Sequence, residues 1–138
     1  MPKLWRYQEL FGQIATIRCH EDNSLIRQTL SESGQGRVLV IDGAGSLRRA
    51  LVGDLIAELA RSNGWSGIVV HGAIRDSVAI GNLQIGLKAL GTNPRKSTKT
   101  GSGFQNLPLQ FGNICLTPNH WIYCDSDGIA VSPTNLLA

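Results

Sequence analysis

The spacing of apolar and polar positions changes several times along the chain, and each change predicts an element. Residues 11–19 alternate and carry the β-branched Ile14, Thr16 and Ile17, which reads as a strand. Glu21-Asp22-Asn23-Ser24 supplies helix-start chemistry, and Leu25, Ile26, Thr29 and Leu30 follow at helical spacing until Gly34 and Gly36 end the helix. Residues 37–42 form a short continuous apolar run, the pattern of a strand covered on both faces. Gly43-Ala44-Gly45-Ser46 is a turn, and 47–52 reads as a short strand. Gly53-Asp54 opens the strongest helix, with Leu55, Ile56, Leu59 and Ala60 on one apolar face and Asn63-Gly64 as its stop. Residues 66–72 are a second doubly covered strand.

After Arg75-Asp76 the pattern is short and helical or irregular to Leu83, and 85–90 reads as a strand. Residues 91–103 are a polar loop with nothing to bury. From Leu107 onward the signals are all β, with runs at 113–116, 121–124 and 128–131. Pro118-Asn119 and Asp125-Ser126-Asp127-Gly128 read as the turns between them, the second with Gly128 at positive φ. There is no internal repeat and no linker. The order is α/β first and mostly β afterwards, and 138 residues predict one domain, 1–138.

Composition narrows the class. A chain 42% hydrophobic and 17% charged is too apolar to be disordered, and no apolar run approaches the ~20 residues of a membrane span. The formal charge of +3 is a mild excess, so no direct nucleic-acid partner and no membrane are expected. Cys19, Cys115 and Cys124 have no CxxC spacing, and the start of the chain has no signal-peptide core, so a reduced, cytoplasmic protein is expected.

Most motif-like stretches dissolve on inspection. Gly43-Ala44-Gly45 lacks the third glycine of a dinucleotide loop, Arg48 standing in its place, and reads as a tight turn. Lys96-Ser97 is preceded by Arg95 where a phosphate loop needs glycine, so Arg95, Lys96 and Lys99 read as solvated charges. Asp125-Ser126-Asp127-Gly128 lacks the downstream glutamate of a calcium loop. His20, His71 and His120 have no metal-ligand spacing; His71 carries extra weight because it precedes Arg75-Asp76.

Two places remain. Gly53-Asp54 opens a helix, where unsatisfied N–H groups and the positive dipole end suit an anion; the competing account makes Asp54 an N-cap. Arg75-Asp76 follows a buried strand, where Arg offers a carboxylate a bidentate fork and Asp offers magnesium or manganese a hard oxygen; the competing account is an internal ion pair. Twenty residues separate Asp54 from Arg75. A helix returning antiparallel to the next strand brings its start near that strand's C-terminal end, so the two places are expected to face each other.

These residues, together with Glu21-Asp22-Asn23-Ser24-Leu25, the stretch 37–48, Gly53-Asp54-Leu55-Ile56-Ala57-Glu58-Leu59-Ala60, the stretches 63–70 and 88–97, and 125–133, resemble one family. It is the family of the regulator of ribonuclease E activity type A and the class II 4-hydroxy-4-methyl-2-oxoglutarate aldolases. The resemblance covers nearly the whole chain from about residue 11. It implies a compact β-β-α sandwich, swivelling-domain-like, assembled as a homotrimer with active sites at subunit boundaries. It implies that Gly53, Asp54, Leu55 and Ile56 hold the pyruvate part of a 2-oxo acid, that Arg75 also binds substrate, and that Asp76 holds a divalent metal, magnesium or manganese. The chain starts later than family members, which carry a helix before the first strand, and Ala79 stands where some have an acidic residue.

The implied activity is metal-dependent aldol cleavage of 4-hydroxy-4-methyl-2-oxoglutarate to pyruvate, with oxaloacetate decarboxylation through the same pyruvate enolate. Asp54, Arg75 and Asp76 are the candidate catalytic residues, with Asp54 or a metal-bound water as the base. The alternative is a non-catalytic regulator that binds and inhibits ribonuclease E. Regulator-type members can lose the Gly-Asp pair that this chain keeps at Gly53-Asp54. A menaquinone-pathway methyltransferase, a third label given to the family, finds no glycine-rich loop of the required layout.

Overall fold

The computed structural model describes residues 4–5, 9–125 and 128–137. Its centre is a mixed sheet in the order β1-β6-β5-β3-β2-β10-β11. The parallel part is β2 (Leu10–Arg18), β3 (Val38–Asp42), β5 (Gly67–Ile74) and β6 (Gly86–Thr92). β1 (Leu4–Trp5) closes one edge antiparallel to β6, while β10 (Trp121–Cys124) and β11 (Ile129–Ser132) extend the other. β4 (Ala50–Val52) pairs with the end of β5, and β7 (Phe104–Gln105) with the end of β2.

The sheet is covered on both faces, which is why 38–41 and 67–70 are buried without alternation. On one face lie three helices, α1 (Ser24–Leu30), α2 (Asp54–Ser62) and α3 (Ser77–Gly81). They bring Ile26, Leu30, Ile56, Ala60 and Ile80 against Ile17, Leu39, Ile68 and Leu87. On the other face the hairpin of β8 (Leu109–Phe111) and β9 (Ile114–Leu116) packs Leu109, Phe111 and Leu116 on Ile14, Val40, Val69 and Ile122. Hairpin, sheet and helices make the β-β-α layering, with a mostly β C-terminal half.

Several expectations need correction. The strand expected over 47–52 is only Ala50–Val52, because residues 47–48 turn away and give their carbonyls to the Asn93 side chain. Leu55 does not join the apolar face of α2: it is 67% exposed, and the buried face is Ile56, Ala57 and Ala60. The helix expected to run to Gly34 ends at Leu30.

The stretch 91–103 is not a free loop. β6 continues to Thr92, Ser97 is buried, and Lys96 and Thr98 form parallel bridges to Ala50 and Asp22. At the β10–β11 turn, Ser126 and Asp127 lie outside the described residues; the Asp125 carboxylate accepts the Gly128 N–H at 3.0 Å, and Gly128 is not left-handed. β8 falls in the stretch from Leu107 that reads as β, outside the runs named there. Gly112 and Asn113, both at positive φ, form the tight turn that pairs it with β9.

Candidate functional site

β4 is a three-residue strand, yet it sets the site. It runs parallel to the end of β5, with Ala50 opposite Ala73 and Val52 opposite Ile74. The Arg75 N–H then donates to the Val52 carbonyl at 2.9 Å. The chain leaving β4 becomes α2 at Asp54, and the chain leaving β5 becomes Arg75-Asp76, so the two lie side by side as the spacing predicts.

Gly53 caps α2 with extended backbone (φ −117°) that any residue adopts. What it provides is room: a Cβ there would lie 2.9 Å from Arg75 Nε and 3.0 Å from Cζ. Asp54 is the first helical residue rather than the N-cap, and no side chain caps the helix. Its N–H makes a long 3.4 Å hydrogen bond to Asp76 Oδ2, which also faces Arg75 Nη1 at 3.2 Å. The ion pair and the anion site are therefore one object. Asp76 takes the left-handed conformation (φ 58°, ψ 38°), the sharp turn that swings its carboxylate back toward α2. By helix geometry the N–H groups of Leu55 and Ile56 have no acceptor four residues back, and they add positive potential at the same end. The Ile56 side chain points into the core, leaving its backbone to serve a ligand.

The side chains of Arg75 and Asp76 are 27% and 34% exposed, and Leu55 and Val78 stand out beside them at 67% and 72%. Among the described residues no three His, Cys, Asp or Glu side chains gather as a metal cage. Asp76 nevertheless fits magnesium. That ion keeps several waters and takes one or two carboxylates plus substrate oxygens, and Asp76 offers a solvent-facing carboxylate on a fixed turn. The arrangement does not suit zinc, which needs a fuller set of protein ligands.

Asn93 was not singled out from sequence. Its N–H donates to the Ile74 carbonyl at 3.0 Å, its amide nitrogen to the Leu47 carbonyl at 2.8 Å, and its amide oxygen accepts the Arg95 N–H at 2.9 Å. It thus fixes the residue preceding Arg75. The Asn93-Pro94 dipeptide was the available signal, a turn signature.

His71 lies apart from the site, stacked on Phe111 at 4.4 Å with Nδ1 3.3 Å from Asp42. The N–H groups of Gly43 and Gly45 both donate to the His71 carbonyl, so that glycine turn spends its donors internally. Cys19 is buried, and burial, with Asp22 and Asp42 nearby, pushes its thiol up to about 12. One groove of about 620 Å³ lies between β2 and the β10–β11 hairpin, and another of about 460 Å³ lies between Arg18 and Phe104. Neither touches Gly53, Asp54, Arg75 or Asp76.

The model of the RraA-like family (aldolase/RraA) matches residues 1–131. A solved structure described as S-adenosylmethionine: 2-dimethylmenaquinone methyltransferase from Geobacillus kaustophilus is 42% identical, with a TM-score of 0.96 over 99% of this chain and 86% of that one. The RNA-processing inhibitor RraA from Thermus thermophilis is 39% identical, with a TM-score of 0.93 over 96% of this chain and 84% of that one. Streptomyces coelicolor RraAS2, of the RNase ES inhibitor RraA family, is 26% identical, with a TM-score of 0.80 over 96% of this chain and 70% of that one.

Proposed function

The chain belongs to the RraA-like (aldolase/RraA) family, and from that premise we propose that it is a divalent-metal-dependent carbon–carbon lyase acting on small 2-oxo acids. Its proposed reactions are cleavage of 4-hydroxy-4-methyl-2-oxoglutarate to two pyruvates and decarboxylation of oxaloacetate. The observation that carries this reading is the Arg75 guanidinium seated against Gly53 at the unsatisfied start of α2, with Asp76 folded back beside it.

In either reaction the C3–C4 bond, one carbon beyond the 2-oxo group, breaks, and its electrons pass through C3 to the ketone oxygen as the pyruvate enolate forms. Arg75 binds the substrate carboxylate as a bidentate fork. The N–H groups opening α2 hold the same anion and aim positive potential at the developing charge. Asp76 would hold magnesium or manganese, which supplies Lewis acidity for the 2-oxo acid oxygens. Asp54, whose N–H meets Asp76, is the candidate base for the proton of the cleaved alcohol. The test is lactate-dehydrogenase-coupled pyruvate release from each substrate, with magnesium and with excess chelator. Metal-dependent release from either supports the reading, and none from both rejects it.

A second reading, inhibition of a ribonuclease E-type enzyme, rests on the two RraA inhibitors among the similar structures. Retention of Gly53-Asp54 and Arg75-Asp76 favours catalysis. Slowed RNA cleavage by ribonuclease E on adding this protein, with no pyruvate release, would favour the regulator. A methyltransferase has less support, because the Gly43 and Gly45 donors are used within the fold.

A further inference from the structure

We propose that the face carrying residues 95–104 binds single-stranded nucleic acid. Two independent observations carry this.

The first is a fixed cationic strap. The Arg95 carbonyl accepts the Ala50 N–H at 2.8 Å, and the Lys96 carbonyl accepts Arg49 Nη1 at 3.0 Å. Thr98 exchanges backbone hydrogen bonds with Glu21 and Asn23, and Thr100 donates to the buried Asp22 through both its N–H and its hydroxyl. The backbone is thus held while the side chains of Arg48, Arg95, Lys96 and Lys99 reach solvent.

The nearby carboxylates cancel only part of this charge, Glu21 facing Arg48 at 3.7 Å. Glu21 is engaged with Ser46, His20, Arg48 and Arg49, Asp22 is buried under its donors, and Asp42 faces His71 and the Ala44 N–H. Arg18, Arg48, Arg49, Arg95, Lys96 and Lys99 stand on this face against Glu21, Asp22 and Asp42, six basic residues against three acidic ones. The mild total charge had hidden a local one.

The second observation is an exposed aromatic ring at the end of the strap. Phe104 is 61% exposed at the mouth of the 460 Å³ groove, which Arg18 and His20 also line. Arg18 is its cross-strand partner, with Cζ 5.6 Å from the ring centroid. Gly103, at φ +138°, lets the chain pass close to the Arg18 carbonyl, since a Cβ would lie 3.2 Å from that oxygen. A line of backbone-fixed cations leading to an exposed ring in a cation-lined groove is the combination that tracks a phosphate backbone and stacks a base. An acidic polypeptide would use the charges but not require the ring.

The test is fluorescence anisotropy of a short labelled oligouridylate at low and rising salt. The wild type, Phe104→Ala, and the combined Arg95→Gln, Lys96→Gln, Lys99→Gln variant are compared, each checked for folding by circular dichroism. Phe104→Leu replaces Phe104→Ala if the latter misfolds. The strap is held through backbone atoms of 95 and 96, so the combined variant keeps it. The expectation is salt-sensitive binding, weakened about tenfold without the ring. In the combined variant the slope of log affinity against log salt should flatten by about 2. No binding at low salt, an unchanged affinity without the ring, or equal competition by polyglutamate of matched length would overturn the proposal.

Discussion

Gly53 is small because Arg75 occupies the space its side chain would take. Gly53→Ala meets no backbone strain at φ −117°, but its Cβ would lie 2.9 Å from Arg75 Nε and push the guanidinium aside. The expected result is a kcat/KM for pyruvate release lowered about tenfold, equivalent to about 1.4 kcal/mol, with a Tm within about 2 °C of wild type. Arg75→Lys keeps the charge and loses the fork, so a loss of at least roughly tenfold in kcat/KM is expected on the same assay. An unchanged value for the lysine variant would place the carboxylate elsewhere. The residues of this site were legible because one helix and one strand fix their spacing. Asn93 and Asp22 were not, because the hydrogen bonds that tie them to Leu47, Arg48 and Thr100 span 45 to 78 positions of the chain. The competing account of Asp54 as an N-cap fails, because Gly53 is the cap and Asp54 the first helical residue.

Among the elements, the strap over 93–101 departs most from its sequence pattern. It has almost no apolar residues, so periodicity shows a loop, yet hydrogen bonds fasten it to β4 and to the start of α1. Asp22 is the central fastening, accepting the Ser24 N–H at 2.9 Å and the Thr100 N–H at 2.7 Å. Burial alone would raise its pKa, but these donors outweigh burial and hold the carboxyl well below the usual carboxylate range. A carboxylate depressed in the folded state adds stability above its unfolded value, about pH 4, and that contribution is lost as pH falls toward the depressed one. Asp22→Asn should therefore destabilise the protein by about 2–3 kcal/mol at pH 7. In urea titrations the gap between variant and wild type should narrow at pH 3, and a gap independent of pH would contradict the charge-based account. The doubly covered strands were legible as apolar runs.

For the whole molecule, layering explains both the fold and what the fold leaves open. Hairpin and helices bury the two faces of the sheet, while Leu55 and Val78 stay exposed beside the candidate site. We propose that a neighbouring copy covers them in a trimer. Light scattering at micromolar concentration should give three times the subunit mass, and an active monomer would reject a shared site. The membrane expectation has one direct observation: among the described residues no helix is long and apolar enough to cross a bilayer. The order of elements showed α/β first and mostly β afterwards, and the layering was what the family resemblance implied; the edge pairings of β1, β4 and β7 were not legible, because two- and three-residue strands take their partners from tertiary packing. The central claim is that Asp76 supports metal-dependent lyase chemistry beside Arg75, and the most direct measurement is pyruvate release by folded Asp76→Ala against wild type in saturating magnesium. The account predicts release by wild type that chelator abolishes and a variant with under about one-hundredth of that rate, a loss worth more than about 2.7 kcal/mol. Wild-type release rates from the folded variant would contradict it.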